Sequence, residues 1–452
     1  MKRVLKSKNV FRSLSPAALI VVAFLLAVIS GTVLLIMPFA TKASGSIGFS
    51  NALFTATSAV CVTGLVVADT ASTWSAFGQT IILILIQIGG LGIMTAASTF
   101  SLILGRNIGL KERLTIQESL NEFSLQGVVK LFRYIIIATF SIEAIGALLL
   151  ATRFIPKFGF FSGLAKSVFH SISAFCNAGF DIMGTAAAPF VSITGFNNDF
   201  IVVMTIGLLF VIGGLGFVVW KDIISVRKFK DFMLHTKVVV IMTAILIISG
   251  TVLFFIFEHG NTMEGMGFFQ RLYNSFFHAV TPRTAGFNTL PIDEMLPQSQ
   301  FLTMILMFIG AAPGSTGGGI KITTFTIVLF AIFTYMKSSD EVNILKRKVN
   351  PVVVRKSLAI FFVALALVFF TTFVLLLSDA GTFKECIFEA VSAFGTVGLS
   401  TGITPSLPLA GKIMITITMF VGRVSPLALA LSLSQLAPKK PYSYPEGKIA
   451  VG

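Results

Sequence analysis

Charge is what this sequence has least of. Asp, Glu, Lys and Arg make up 12% of its 452 residues, against about 25% in an ordinary soluble domain. Acid is scarcest: 19 Asp and Glu face 34 Lys and Arg, leaving a net charge of +15. Tyr and Trp are few (5 and 2) beside 46 Phe. The three cysteines, Cys61, Cys176 and Cys386, lie far apart without CxxC spacing, which argues against a disulfide framework and a zinc site. No GxGxxG follows a strand-like segment and GxxxxGK[ST] is absent, so the chain carries no nucleotide fingerprint. What is present is apolar: 55% of the residues are hydrophobic. That composition excludes a soluble enzyme, a disordered chain and a nucleic-acid-binding domain, and it points to a polytopic membrane protein.

Runs without Asp, Glu, Lys or Arg locate the spans, at 13–41, 70–105, 200–220, 238–257, 295–320 and 357–378. Each reaches the roughly 20 residues a crossing helix needs. Two more carry charge: 134–152 with Glu143, and 410–436 with Lys412 at its start and Arg423 inside. The expectation is eight transmembrane helices in an all-α membrane protein, since continuous rather than alternating runs exclude a β-barrel. The first run follows a basic N-terminus, is too long for a cleaved signal and lacks a clear small-residue cleavage site, so it is read as a span. Four shorter apolar segments, near 49–63, 162–178, 271–283 and 385–397, lie between spans, and each ends in a glycine-containing stretch. They suit re-entrant helices, which are tolerated at membrane depth where they line an aqueous cavity.

The basic residues fix the orientation. Twenty-four of the 34 fall on one side of the expected topology, 8 on the other, and Lys321 and Arg423 fall within membrane segments. The positive-inside rule then places both termini in the cytoplasm of a multi-pass plasma-membrane protein. The same charge is accounted for by topology and by membrane lipid headgroups rather than by nucleic acid.

The four short segments repeat one another. They read Phe54-Thr-Ala-Thr-Ser58 with Cys61-Val-Thr-Gly64, Phe169-His-Ser-Ile-Ser173 with Cys176-Asn-Ala-Gly179, Phe276-Phe-His-Ala-Val280 with Arg283-Thr-Ala-Gly286, and Phe388-Glu-Ala-Val-Ser392 with Gly395-Thr-Val-Gly398. The Phe-to-Gly distance is ten residues each time. A second marker follows in the next span: Gly89, Gly213, Gly310 and Gly422, at 25, 34, 24 and 24 residues after the first glycine. The longer second interval, with Asn197, Asn198 and Asp199, reads as an extracellular insertion. Four span–loop–span units can surround one axis with fourfold pseudo-symmetry. A glycine at each turn lets the backbone take φ > 0 and come close. Inward carbonyls can then replace the water shell of a cation, and helix C-termini aimed there favour positive charge. Arg283 is the one charged residue at these turns, and no acidic ring is present. The competing reading is that glycine only brings membrane helices close together.

These motifs resemble the Trk/Ktr/HKT superfamily of potassium transporters, specifically the bacterial Ktr-type membrane subunit. The resemblance rests on Val62-Thr-Gly-Leu65, Asn177-Ala-Gly-Phe180, Thr281-Pro-Arg-Thr-Ala-Gly-Phe-Asn288, Phe394-Gly-Thr-Val-Gly-Leu399, Ile86-Gln-Ile-Gly-Gly-Leu-Gly92 and Tyr444-Pro-Glu-Gly-Lys448, and it covers nearly the whole chain. It implies a pore of four repeats that moves K+, sometimes with Na+. Its filter carbonyls would come from Cys61, Val62, Thr63 and Gly64; Cys176, Asn177, Ala178 and Gly179; Arg283, Thr284, Ala285 and Gly286; and Gly395, Thr396, Val397 and Gly398. All four filter positions are Gly, the potassium-type pattern. The repeats are expected at 1–125, 126–235, 236–350 and 351–438, with a cytoplasmic tail at 439–452. The resemblance also implies a homodimer on a cytosolic ring of nucleotide-binding regulatory subunits, with no cofactor bound by this chain and any nucleotide on the partner.

The third inner span reads Gly310-Ala-Ala-Pro-Gly-Ser-Thr-Gly-Gly-Gly-Ile-Lys321. Its glycines and Pro313 cannot hold a regular helix at about 1 kcal/mol per Gly and about 3 per Pro. The resemblance makes Gly314, Ser315, Thr316, Gly317, Gly318 and Gly319 an intramembrane gating loop, with Arg423 below the filter beside it. A packing kink and an Arg423–Glu143 ion pair are the alternatives. His170 and His278 read as packing or hydrogen-bonding residues of the pore helices, or else as proton or metal sites. A secondary transporter of another small cation or solute, Na+-linked, is the competing function. An intramembrane enzyme fails for want of paired acids, a metal cluster or a nucleophile–base set at membrane depth.

Overall fold

The computed structural model describes residues 16–42, 47–92, 128–338 and 341–424. Helix α1 (Pro16–Ile36) is followed by the short α2 (Phe49–Val60), then by α3 (Thr70–Thr73) and α4 (Ala76–Leu91). Asp69 and Ser75 end the loops and cap α3 and α4 through the amides of Ser72 and Gly78, supplying acceptors that a helix start otherwise lacks. The same succession recurs in α5 (Val128–Phe158), the short α6 (Phe160–Phe175), and α7 (Phe200–Gly214) with α8 (Phe217–Val226). It recurs in α9 (Leu234–Phe257), the short α10 (Phe268–Val280), and α11 (Pro297–Phe308) with α12 (Ile322–Met336). It recurs last in α13 (Pro351–Leu377), the short α14 (Phe383–Gly395) and α15 (Leu409–Val424).

Among the described residues, four helices are unbroken, long and apolar enough to cross a membrane: Ala18–Ile36, Arg133–Phe158, Leu234–Phe257 and Pro351–Leu377. Their outward faces carry exposed apolar side chains such as Leu26, Ile29, Leu148, Ile248 and Phe370, as expected of helices solvated by lipid. The short helices sit inside them; residues Phe54 to Val60 of α2 are all buried.

Three departures from the sequence reading have local causes. The run 200–220 is not one straight helix: α7 and α8 meet at 91°, at Gly216 with φ +91. The run 295–320 breaks after Phe308, as its glycines led one to expect, but helix resumes as α12 beyond the run's end. Lys321, read as an intramembrane charge, is the N-cap residue of α12, and its amine donates to the Gly317 carbonyl at 2.6 Å. The basic loop before α13 holds the only strands among the described residues, a two-stranded antiparallel ribbon of β1 (Asn343–Ile344) and β2 (Arg347–Lys348). The ends of the runs 70–105 and 410–436, Tyr444-Pro-Glu-Gly-Lys448 and the tail lie outside the described residues.

Candidate functional site

Each short helix ends in the same way. In the first, the Thr63 amide donates to Ser58 O at 2.8 Å and Val62 N to Ala59 O at 3.1 Å. This is the Schellman arrangement, whose left-handed position usually falls to glycine. Here it falls to Val62, φ +55. The second turn repeats it with Ala178 N to Ser173 O and Asn177 N to Ala174 O, and the fourth with Val397 N to Ser392 O and Thr396 N to Ala393 O. The third differs: Ala285 N and Gly286 N both donate to Thr281 O. All four nonetheless place a left-handed residue two before the glycine: Val62, Asn177, Thr284 and Thr396, with φ between +50 and +73. A β-branched residue there is strained, and such strain persists only where surrounding structure holds it.

Gly64, Gly179, Gly286 and Gly398 are left-handed too, with φ of +90, +70, +80 and +92. A Cβ on Gly64 would meet Ala178 O, one on Gly179 would meet Ala285 O, one on Gly286 Val397 O, and one on Gly398 Thr63 O. The order 64, 179, 286, 398 and back to 64 closes a ring. Four backbone carbonyls, of Thr63, Ala178, Ala285 and Val397, stand at its contacts. The turns are also tied from behind. Ser58 and Ser392 hydroxyls accept from the Gly64 and Gly398 amides at 3.1 Å. Ser173 and Thr281 hydroxyls donate to Phe180 O and Phe287 O.

The second set of glycines has a complementary use. A Cβ on Gly89, Gly213 or Gly422 would collide with a carbonyl at the end of the neighbouring short helix: Val60 O, Phe175 O or Phe394 O. Gly310 faces Gly318 O instead, because in the third unit the chain itself fills that space.

On one face of the ring lies a cavity of about 380 Å³, lined by the four glycines with Asp69, Asp181 and Asp293. Burial, then the neighbouring Asp69, raises the Asp181 carboxyl to about 6, against hydrogen bonds from Met183 and Gly184 and the nearby Lys166. The insertion between α6 and α7 borders the cavity. Phe190 N donates to Asp69 at 2.9 Å and Ser192 accepts from Asn288 N at 3.1 Å.

The glycine-rich loop meets the ring residues from another side. Cβ atoms on Gly317, Gly318 and Gly319 would touch Thr284, Thr396 and Gly395 respectively. Ala312 N donates to Gly214 O at 3.0 Å, Thr316 N to Gly213 O at 3.3 Å, and Phe217 N to Gly314 O at 2.9 Å. The 91° bend thus exposes carbonyls of α7 and an amide of α8, and the loop satisfies them. Ser315 donates to Ala312 O. Arg423 binds the loop at Thr316 O and the end of α4 at Gly89 O and Gly90 O. The Arg423–Glu143 ion pair considered from sequence is not formed; Glu143 accepts from Gln87 instead.

The structure therefore brings the sequence-derived turn and loop residues together. Arg283 does not present its charge to the ring. Its guanidinium is buried and reaches back to Thr243 of α9 at 3.3 Å. His170 and His278 are buried and hydrogen-bonded, to Lys166 O at 2.7 Å and to Thr289 at 3.2 Å. Sequence reasoning missed Asp69 and Asp181, whose only signal was an acid shortly after a ring glycine.

A chain of apolar helices that folds back four times onto a ring of its own backbone carbonyls defines the class of multi-pass membrane transport proteins, not of enzymes. The chain belongs to the TrkH family, described as cation transport protein, whose match runs over residues 2–443. It is 41% identical over 440 residues to the Ktr system potassium uptake protein B of Bacillus subtilis, covering 97% of each chain. It is 40% identical to the potassium/sodium uptake protein NtpJ of Enterococcus hirae, covering 98% of this chain and 99% of the relative. The crystal structure of the potassium transporter TrkH from Vibrio parahaemolyticus shares its fold, with a TM-score of 0.72 at 16% identity over 96% of this chain and 86% of that one.

Proposed function

We propose that this protein is the integral membrane subunit of a potassium uptake system, conducting K+ through the ring. The observation that carries this reading is the ring itself: four glycines, each left-handed and each against the carbonyl of the next turn. Carbonyl oxygens gathered in this way can replace a cation's hydration shell without any acidic side chain. The names of the Ktr relatives support potassium as the ion, and NtpJ supports Na+ as a second one. The four units then form eight spans and four re-entrant helices about one pore, divided at 1–125, 126–235, 236–350 and 351–438, with both termini cytoplasmic. The loop Gly314–Gly319 is the gate, and Arg423 raises a barrier below the ring. The protein works as a homodimer on a cytosolic ring of regulatory subunits, which supply the nucleotide site this chain lacks.

Rubidium uptake into potassium-starved cells expressing the chain tests the function, and Gly64→Ser, Gly179→Ser, Gly286→Ser and Gly398→Ser test the ring. Lower Rb+/Na+ discrimination in these variants is the expected result; unchanged ion preference in all four would remove the ring from the pathway. Removing residues 441–452 should weaken dimerisation or binding of the soluble ring while leaving ion preference intact. A monomer that binds ATP by itself and is fully regulated would contradict the assembly.

A further inference from the structure

The residue three before each ring glycine is Cys61, Cys176, Arg283 or Gly395. In the second and third units this side chain turns away from the ring and finds a polar partner on a long outer helix. Arg283 reaches Thr243 of α9. Cys176 lies 3.8 Å from Glu143 Oε1 on α5 and 3.7 Å from Gln87 Oε1 on α4. Gln87 Nε2 in turn donates to both Glu143 oxygens, at 3.0 and 3.3 Å. Ser171, on the short helix that ends at this turn, donates to the Glu143 carbonyl at 2.6 Å.

Glu143 is 4% exposed, and among the described residues no cation meets it. A carboxyl group in an apolar span costs several kcal/mol unless partners satisfy it, so helix packing alone gives no reason for an acid here. Its partners do. The thiol leaves the turn, the amide leaves α4, and both end on one carboxyl of α5. Gly90 lies directly against Cys176, with no room for a Cβ. Two residues after Gln87, the α4 carbonyls accept from Arg423. The cluster therefore fixes the second ring turn against the helix end that also anchors the loop.

We infer that Glu143, with Gln87, is a positioning residue for the second turn of the ring, acting through Cys176 on ion discrimination. This rests on the reading of the ring as the ion pathway. A turn freed from this clamp can widen, and carbonyls that relax outward favour K+ over Na+ less. Losing one hydrogen-bonded partner set corresponds to roughly a threefold to tenfold change in an equilibrium, and that is the expected fall in the Rb+/Na+ uptake ratio for Glu143→Ala. Glu143→Gln keeps an acceptor for Gln87 and a similar shape, so its ratio should stay near that of the parent protein.

The experiment measures Rb+ and Na+ uptake into proteoliposomes containing the full chain, at matched protein content. It adds labelling by a small methanethiosulfonate reagent. In the parent protein Cys176 is buried and should resist; in Glu143→Ala it should react, and a Cys176→Ser second change should abolish that reaction. A merely structural role would lower the amount of folded protein without moving either the ratio or the labelling. If folded Glu143→Ala keeps the parent ratio and a protected thiol, the inference is overturned. If Glu143→Gln loses discrimination as fully as Glu143→Ala, it is overturned as well. Absence of Rb+ uptake by the parent protein in potassium-starved cells that also supply its regulatory subunits would instead overturn the ion-pathway reading.

Discussion

A methyl group on Gly422 would have to occupy the space of the Phe394 carbonyl, and one on Gly213 that of Phe175. Since these atoms are backbone at helix ends, neither can step aside. Gly422→Ala and Gly213→Ala should each destabilise the protein by about 1–3 kcal/mol, as overpacking does, seen as a lower midpoint in thermal unfolding in detergent. Asp181 makes a different prediction. Its carboxyl is raised to about 6 by burial first, so it loses its charge as pH falls through that value. On the proposed function, Rb+ uptake should decline between pH 7 and 5 as the outer cavity loses negative charge, and Asp181→Asn should flatten the profile. The sign for stability is opposite. A carboxyl whose folded value lies above its unfolded one favours the folded state when protonated, so the unfolding midpoint should rise over the same interval. The ring glycines were legible because ten residues separate each from a Phe. Asp69 and Asp181 were not, because they meet only after the insertion has folded over them.

The loop from Gly310 to Lys321 is an element without regular structure whose polar groups are nevertheless placed. Its amides reach α7, its Gly314 carbonyl serves α8, and its Thr316 carbonyl serves Arg423. Charge-assisted hydrogen bonds contribute about 1.5–3 kcal/mol each. Arg423→Ala should therefore raise Rb+ flux through folded protein by roughly tenfold or more, and shortening Gly314–Gly319 should act in the same direction. Flux equal to that of the parent in both variants would show that the loop is no barrier. The interruption itself was legible, since no helix holds that many glycines with a proline. The bend between α7 and α8 was not. Gly213-Gly214-Leu215-Gly216 also suits close helix packing, and the partner that stabilises the bend lies about a hundred residues later in the chain. Helix α12 was missed for a related reason, because it lies beyond the stretch 295–320 taken as the third inner span.

At the scale of the molecule, the proposed orientation rests on the distribution of the basic residues. On that reading, Gly260→Cys between α9 and α10 should be labelled by an impermeant reagent only from outside cells. Lys346→Cys in the β-ribbon should be labelled only after the membrane is opened. Labelling of both from the same side would reject the topology. The ring is closed by four segments of one polypeptide rather than by four copies of a smaller one. In a tetramer of identical subunits every substitution arrives four times, and a quarter-changed ring cannot be inherited. Here the lineage can revise a single quadrant and leave three untouched. That freedom is the condition under which one quadrant came to carry an arginine, and another both a thiol held by a carboxyl and a long insertion across the mouth.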